Sequence, residues 1–463
     1  MTINLKAVRA ALLGLAIIAA GAVAATTTQA AGTDEDRYGS ADHPITLNMW
    51  GWGGRDDNAI KAAYKALHPY ITLNMTELGS AQDMYTKLGV VSKAGTGAPD
   101  MTGMELAMVP TFAAQGYLAD LSQYGAKVAN FDPSATAAAS FNGALVAMPT
   151  DTGPLIMYYN KSIFDKLGIA VPTTWAEYKA AALKVKAAGK GFMANLGPTD
   201  AGTAMGLMQQ AGSTPFQLTG QADLNVNLAD PGATKFAQYW TDMLNESLVS
   251  PEPSWTTQWF THLSDGTYAT WITGAWGGSV LASNIPKSKG DWRAAAMPNW
   301  EAGKVSNGVN GGSAIIVTSQ SQHKEAATAF AEWFAVDQLV GILDNAANMP
   351  FPASEQVLND PRFINATSDF LGGQRPDALY IQASKDVDRR WQFLPFQLYA
   401  NTIYPDTVGQ SLAGDHDLAA GLKAWQDKIV AYGQAQGFNV TTKWTLAVVR
   451  RRWRTASPLV GGG

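Results

Sequence analysis

Between Ile45 and Gly116, short apolar runs and amphipathic stretches alternate three times, and no other feature restricts the fold so strongly. Ile45 to Trp50 has the composition of a buried strand. Gly51, Gly53 and Gly54 follow as a loop, and Asp56 or Asp57 is placed to cap a helix whose apolar face is Ile60, Ala63, Tyr64 and Leu67. Pro69 ends that helix. Ile71 to Met75 reads as a second strand, Gln82 to Ala94 as a second helix and Pro99 to Gly103 as a third strand. Val109 to Gly116 reads as a third helix, closed by Gly116. Such alternation predicts an α/β lobe with a largely parallel sheet.

The pattern continues less regularly. Leu155 to Asn160, Ala294 to Met297 and Ser313 to Thr318 read as strands. Ala176 to Ala188, Thr234 to Glu246, Lys324 to Phe334 and Leu418 to Gln434 read as helices. A chain of 463 residues suits two or three domains. No internal repeat or long low-complexity linker separates them, so two lobes would be joined by several crossings within ordered segments.

The N-terminus reads as an address. Lys6 and Arg9 precede an apolar run from Ala10 to Ala25, and Thr28-Gln29-Ala30 supplies small residues for a cut after Ala30. Residues 1–30 are therefore expected to be a cleaved signal peptide, leaving an exported protein in the periplasm or at the cell surface. The run is short for a membrane span of about 20 residues. With 33 basic and 38 acidic residues, the chain has no basic excess to suggest a nucleic-acid partner. The absence of Cys excludes zinc ribbons, Fe–S clusters, disulfides and thiol nucleophiles. Beyond Thr442 the composition changes: Lys443, Arg450, Arg451, Arg452 and Arg454 occur without an acid, and residues 443–463 read as a basic, disordered tail.

Motifs for catalysis are missing. There is no Gly-x-Ser-x-Gly elbow and no P-loop, and Gly51-Trp52-Gly53-Gly54 departs from a dinucleotide fingerprint. The five His are scattered, so no catalytic residue, metal or cofactor is assigned. The competing class is a secreted carbohydrate-active enzyme, because many acids are able to pair and sequence does not show which do.

Four ordered segments carry more information. They are Gly97-Ala98-Pro99-Asp100 with Gly116-Tyr117-Leu118-Ala119-Asp120; Ala147-Met148-Pro149-Thr150-Asp151-Thr152-Gly153-Pro154 running into Tyr158-Tyr159-Asn160-Lys161; Asp265-Gly266-Thr267-Tyr268-Ala269 leading to Gly274-Ala275-Trp276; and Gly311-Gly312-Ser313-Ala314-Ile315 followed by Lys324-Glu325-Ala326-Ala327. Together, over about residues 43 to 435, they resemble the extracellular solute-binding proteins of bacterial ABC sugar importers, the maltose-binding-protein-like family. Met349-Pro350-Phe351-Pro352-Ala353-Ser354 departs from the family's small-Pro-Ala-Arg segment, and the tail has no counterpart.

The resemblance implies an α/β, two-lobed periplasmic-binding-protein fold of type II with a multi-crossing hinge. Residues 42–154 and 313–349 would form lobe one, and 155–312 and 350–440 lobe two. It implies capture of a mono- or oligosaccharide by a monomer that delivers it to membrane permease subunits and catalyses nothing. Ligands of open α/β sheets lie beyond strand C-termini. Trp is abundant, at 15 residues, and a Trp ring suits the C–H face of a pyranose, while carboxylates accept from hydroxyls. Trp52 follows the first strand, Glu105 the third, and Asp151 lies in a Thr-Asp-Thr-Gly turn before the first crossing. Trp276 lies in a Gly-rich loop, and Gly311 and Gly312 stand at the return crossing. With Trp391 and Trp50, these are the candidate ligand contacts. The alternative roles are core packing for the Trp residues, helix capping or ion pairing for the acids, and a sharp turn for the glycines. Trp175, at a helix start, is assigned to packing.

Overall fold

The computed structural model describes residues 33–51, 57–127, 131–189, 191–220, 222–341 and 350–442. The expected signal peptide, Trp52 with its neighbours Gly53 and Gly54, and the basic tail lie outside these residues.

The alternation at the start forms as expected. β1 (Ile45–Gly51), α1 (Asp57–Leu67), β2 (Ile71–Glu77), α2 (Ala81–Ala94) and β3 (Met101–Glu105) follow in order. β1 pairs in parallel with β2 from Ile45 opposite Ile71, and with β3 from Met49 opposite Met101. β1 is half-buried rather than buried throughout: Ile45, Leu47 and Met49 face inward while Thr46 and Asn48 face solvent. α1 buries Ile60 and Tyr64, but Ala63 is exposed and Leu67 is 60% exposed. His68 takes the place beside Tyr64 instead, tilted against it at 4.6 Å and stacked on Tyr38 at 4.4 Å.

The largest departure is β4 (Met148–Asn160), a strand of 13 residues where only its second half was expected. Pro149, Gly153 and Pro154 read as breakers. The strand absorbs them because its partners accept them: Pro149 lies opposite Ala314 and Pro154 opposite Val309. Asp151 is accordingly inside a strand and not in a turn.

The elements that complete the frame are α3 (Trp175–Ala187), α4 (Ala201–Gln210), α5 (Pro231–Asn245), α6 (Thr257–Asp265), β5 (Thr270–Gly274), α7 (Gly277–Asn284) and β6 (Trp292–Ala295). They continue with β7 (Val309–Val317), α8 (Lys324–Trp333), α9 (Asp377–Lys385) and α10 (Leu418–Ala435). One seven-stranded sheet runs β5–β4–β7–β3–β1–β2, with β6 also on β4. β7 is antiparallel to both β3 and β4, so it closes the parallel set on one side and joins it to the rest on the other.

Two strands link separate cores. Met148 at the start of β4 and Ala314 to Val317 of β7 belong to a core built with β1, β2, β3 and α8. Further along β4, Leu155 and Met157 face a second core with α3, α4, α5 and α10, while Ile156 and Tyr158 face a third with Trp259, Trp271 and Tyr380. The molecule is thus a two-lobed α/β fold. Trp175, Trp240, Trp259, Trp292 and Trp425 are almost fully enclosed, which removes them as ligand contacts.

Gly153 has a demanding position at the crossing. A Cβ there would lie 2.0 Å from the Asn310 carbonyl oxygen and 3.0 Å from Trp276 Nε1. Gly153→Ala is expected to cost about 1–3 kcal/mol by overpacking a backbone contact that has nowhere to move. A lower urea midpoint at unchanged m would report it.

Candidate functional site

The site begins with strand register. Ser313 of β7 lies opposite Glu105 of β3 on one side and opposite Asp151 of β4 on the other. Directly paired residues share a sheet face, so the two acids and the serine point the same way at the crossing between lobes. Thr150 Oγ1 donates to the Ser313 carbonyl at 3.0 Å and to Asp151 Oδ2 at 3.3 Å. Burial pushes the Asp151 carboxyl up from 3.8 to about 6; hydrogen bonds from Ser313 and Thr150 hold it down in part, and the charge of Glu105 raises it further. Burial also raises Glu105, against the Tyr85 hydroxyl that donates to Oε2 at 3.2 Å. Among the described residues neither acid has a Lys or Arg partner.

Trp276 forms a second part. β5 ends at Gly274, and Ala275-Trp276 turns the chain into α7. The indole N–H donates to the Asn310 carbonyl at 2.8 Å. Its edge approaches three backbones so closely that a Cβ would lie 2.3 Å from Nε1 at Gly274, 2.9 Å at Gly311 and 3.0 Å at Gly153. Gly311 and Gly312 lie inside β7 at a register shift, with φ of +82° and +101°, which a side chain resists. Gly311 makes room for Trp276; a Cβ on Gly312 would meet Leu106 Cδ1 at 3.0 Å. Behind Trp276, the Tyr158 hydroxyl donates to the Ala275 carbonyl at 2.8 Å and shares a hydrogen bond with Tyr380 at 2.9 Å.

The remaining candidates fall elsewhere. Trp50 packs against the lobe-one core, with Lys87 Nζ 4.5 Å from its ring centroid, and Trp52 is outside the described residues. Trp391 stands edge-on to Phe216 at 5.9 Å and lines an inter-lobe crevice of about 360 Å³ with Leu106, Phe141, Thr152 and Gln209. Neighbouring strand residues face opposite ways, so Thr152 lies on the other sheet face from Asp151. Trp391 is therefore not brought together with Asp151, Glu105 and Trp276. Gly311 alone of the candidates borders both regions.

One residue escaped the sequence reading. Trp255 stacks on Trp276 at 5.8 Å, with 29° between the rings, and is 50% exposed. Its signal was a Trp in a proline-rich loop, Pro251-Glu252-Pro253-Ser254-Trp255, just before the cap of α6. Among the described residues no group of three or more His, Asp or Glu is placed to hold a metal, and no helix is long and apolar enough to cross a membrane. Chemically, the crossing strands carry an aromatic surface and two acceptor carboxylates without a counter-cation among the described residues. That combination suits a neutral, hydroxyl-rich ligand.

Comparisons point the same way. The family model described as bacterial extracellular solute-binding protein matches residues 54–338. A solved structure of the ABC transporter associated binding protein from B. animalis subsp. lactis Bl-04, in complex with beta-1,6-galactobiose, is 32% identical with a TM-score of 0.77. That match covers 86% of this chain and 100% of the other. The galacto-N-biose-/lacto-N-biose I-binding protein of Bifidobacterium longum, in complex with lacto-N-biose, is 25% identical with a TM-score of 0.76, over 86% and 99% of the two chains. An arabinooligosaccharide-binding protein of Bacillus subtilis is 28% identical over 255 residues, 53% of this chain and 58% of that protein. The chain thus spans less than two thirds of the curated relative's length.

The raised Asp151 carboxyl has a signature in stability. Between pH 4 and 6 the folded state holds a proton that the unfolded state has released, so stability falls as pH rises through that window. Asp151→Asn lacks this loss. Its melting temperature relative to wild type should climb from pH 4 to 6 and then level off, as read by calorimetry across a pH series.

Proposed function

The chain belongs to the bacterial extracellular solute-binding protein family, and from that premise we propose that it is the sugar-capturing subunit of an ABC importer. In this reading it is exported to the periplasm or cell surface, acts as a monomer, binds a mono- or oligosaccharide and presents it to membrane permease subunits. It works by binding and catalyses nothing. Residues 42–154 and 313–349 close on residues 155–312 and 350–440 about β4 and β7, the strands that the two lobes share.

One observation carries the proposal: Trp276 is bedded on three glycines of β4, β5 and β7, and Asp151 and Glu105, both opposite Ser313 of β7, have no cationic partner among the described residues. A pyranose laid there would offer its C–H face to an indole and its hydroxyls to the carboxylates. The backbone at Gly311 and Gly312 would approach the sugar without a side chain between. Trp391 is left out, since its crevice opens on the other face. The sugars bound by the similar proteins support a short saccharide as the ligand class.

A thermal-shift screen over sugars, including β-1,6-galactobiose, lacto-N-biose and arabinooligosaccharides, tests this. A ligand at one hundred times its Kd stabilises the protein by about 2.7 kcal/mol, and chromatography should recover it unchanged. Appearance of a product would move the protein to the competing enzyme class. Trp276→Ala should weaken binding of a hit about tenfold or more, roughly 1.4 kcal/mol. The free variant should also melt lower, because the indole packs against Trp255 and Trp271 and is bonded to Asn310. Calorimetry well below melting therefore gives the affinity.

A further inference from the structure

We infer that Trp255 is a second ligand-contact residue, which takes the C–H face of a pyranose on its outer ring face and donates its indole N–H to a sugar hydroxyl, and that Asn195 positions it. This rests on the proposed sugar-binding function and adds a contact that the acid pair and Trp276 do not supply.

Four non-glycine residues among those described have positive φ, and Trp255, at +70°, is the only bulky aromatic one. A large side chain in that region is a genuine outlier, retained only where the surroundings over-determine it. Burial does not explain it, since half of the side chain is exposed.

The surroundings do hold it. Asn195 Nδ2 donates to the Glu252 carbonyl at 3.1 Å and to Ser254 Oγ at 2.9 Å, while its Oδ1 accepts from Trp259 Nε1 at 2.8 Å. Glu252 accepts from the Tyr268 hydroxyl and pairs with His262 Nδ1 at 2.8 Å. A Cβ on Gly197 would come within 2.9 Å of Ser254 Oγ, so the loop is pressed against its neighbour as well as bonded to it. These contacts fix the loop immediately ahead of Trp255, and half of its side chain stays exposed. Its inner side stacks on Trp276 and meets Trp271 edge-on at 5.9 Å.

The two indoles also divide their chemistry. The Trp276 N–H is committed to Asn310, so that ring has only surface to offer. The Trp255 N–H has no hydrogen-bond partner among the described residues. A preorganised aromatic ring with an unused donor, stacked on the residue that marks the crossing, is suited to a ligand with both apolar faces and hydroxyls.

The test uses the full mature chain and a sugar that binds wild type in the screen. Trp255→Gly removes the ring and accommodates the positive φ. Its affinity should fall at least tenfold by calorimetry well below melting, since the variant also loses the ring contacts with Trp259, Trp271 and Trp276. Protection of tryptophan fluorescence from acrylamide on sugar binding should diminish in the variant, an effect that a packing role would not produce. Asn195→Ala should weaken binding less, and should add nothing in the Trp255→Gly background. Affinity within twofold of wild type for Trp255→Gly overturns the inference, whatever its melting temperature. If wild type binds no sugar in the screen, the proposed function fails first, and the inference falls with it.

Discussion

The contact on which the crossing depends is the approach of one indole edge to three backbones. Trp276 Nε1 sits over Gly153, Gly274 and Gly311 and donates to the Asn310 carbonyl. Those four residues come from β4, β5 and β7, so a single side chain ties β5 to the two strands that link the cores. Interiors packed at crystal-like density transmit such constraints, because no void is present to absorb a displaced group. Asn310 adds a second tie, its amide donating to Thr203 at the start of α4 and to Thr273 of β5. The proposed binding surface and the paired strands β4 and β7 are therefore the same piece of structure.

That arrangement has an electrostatic cost. Glu105 and Asp151 share a sheet face, and burial raises both carboxyls above their ordinary values. A protein built for stability alone would neutralise them with a cation or replace them with apolar groups. With no counter-cation among the described residues, their oxygens stay available to hydroxyl donors, at the expense of stability above pH 6. Functional sites commonly trade stability in this way. Asp377 illustrates the same physics without an evident ligand role: it is buried beside Tyr380, one oxygen lacks a partner, and its carboxyl is pushed up to about 7.

The tryptophans sort by where the backbone leaves them. Trp175 lies in the core with its N–H bonded to Gln210, and Trp425 bonds the Ala400 carbonyl there. Trp255 and Trp276 sit on turns just before α6 and α7, where a ring can cover the core with one side and leave the other open. Trp391 takes a third position, in a crevice on the opposite face of the inter-lobe strands. An inventory of tryptophans does not separate these fates, because the indole is identical and only its surroundings differ.

Much of the frame was legible in the sequence. The strand–helix alternation from Ile45 to Met104 depends on local periodicity, and so do the helices at 175–187 and 418–435; these formed within a few residues of expectation. The segment around Asp151 and the Gly-Gly pair at 311–312 stood out in the sequence, and both lie on the paired strands β4 and β7, where a close backbone approach demands particular residues. Tertiary structure decided the rest. β4 runs through two prolines because β7, more than 150 residues later in the chain, pairs with it, and no local pattern contains that partner. Whether Asp151 and Trp391 share a face follows from strand register, in which one residue reverses the direction of every side chain. Trp255 became visible only through its positive φ and its stacking on a ring 21 positions later. Sequence determines what each short segment prefers; the long-range pairing of β3, β4 and β7 determines which side chains meet.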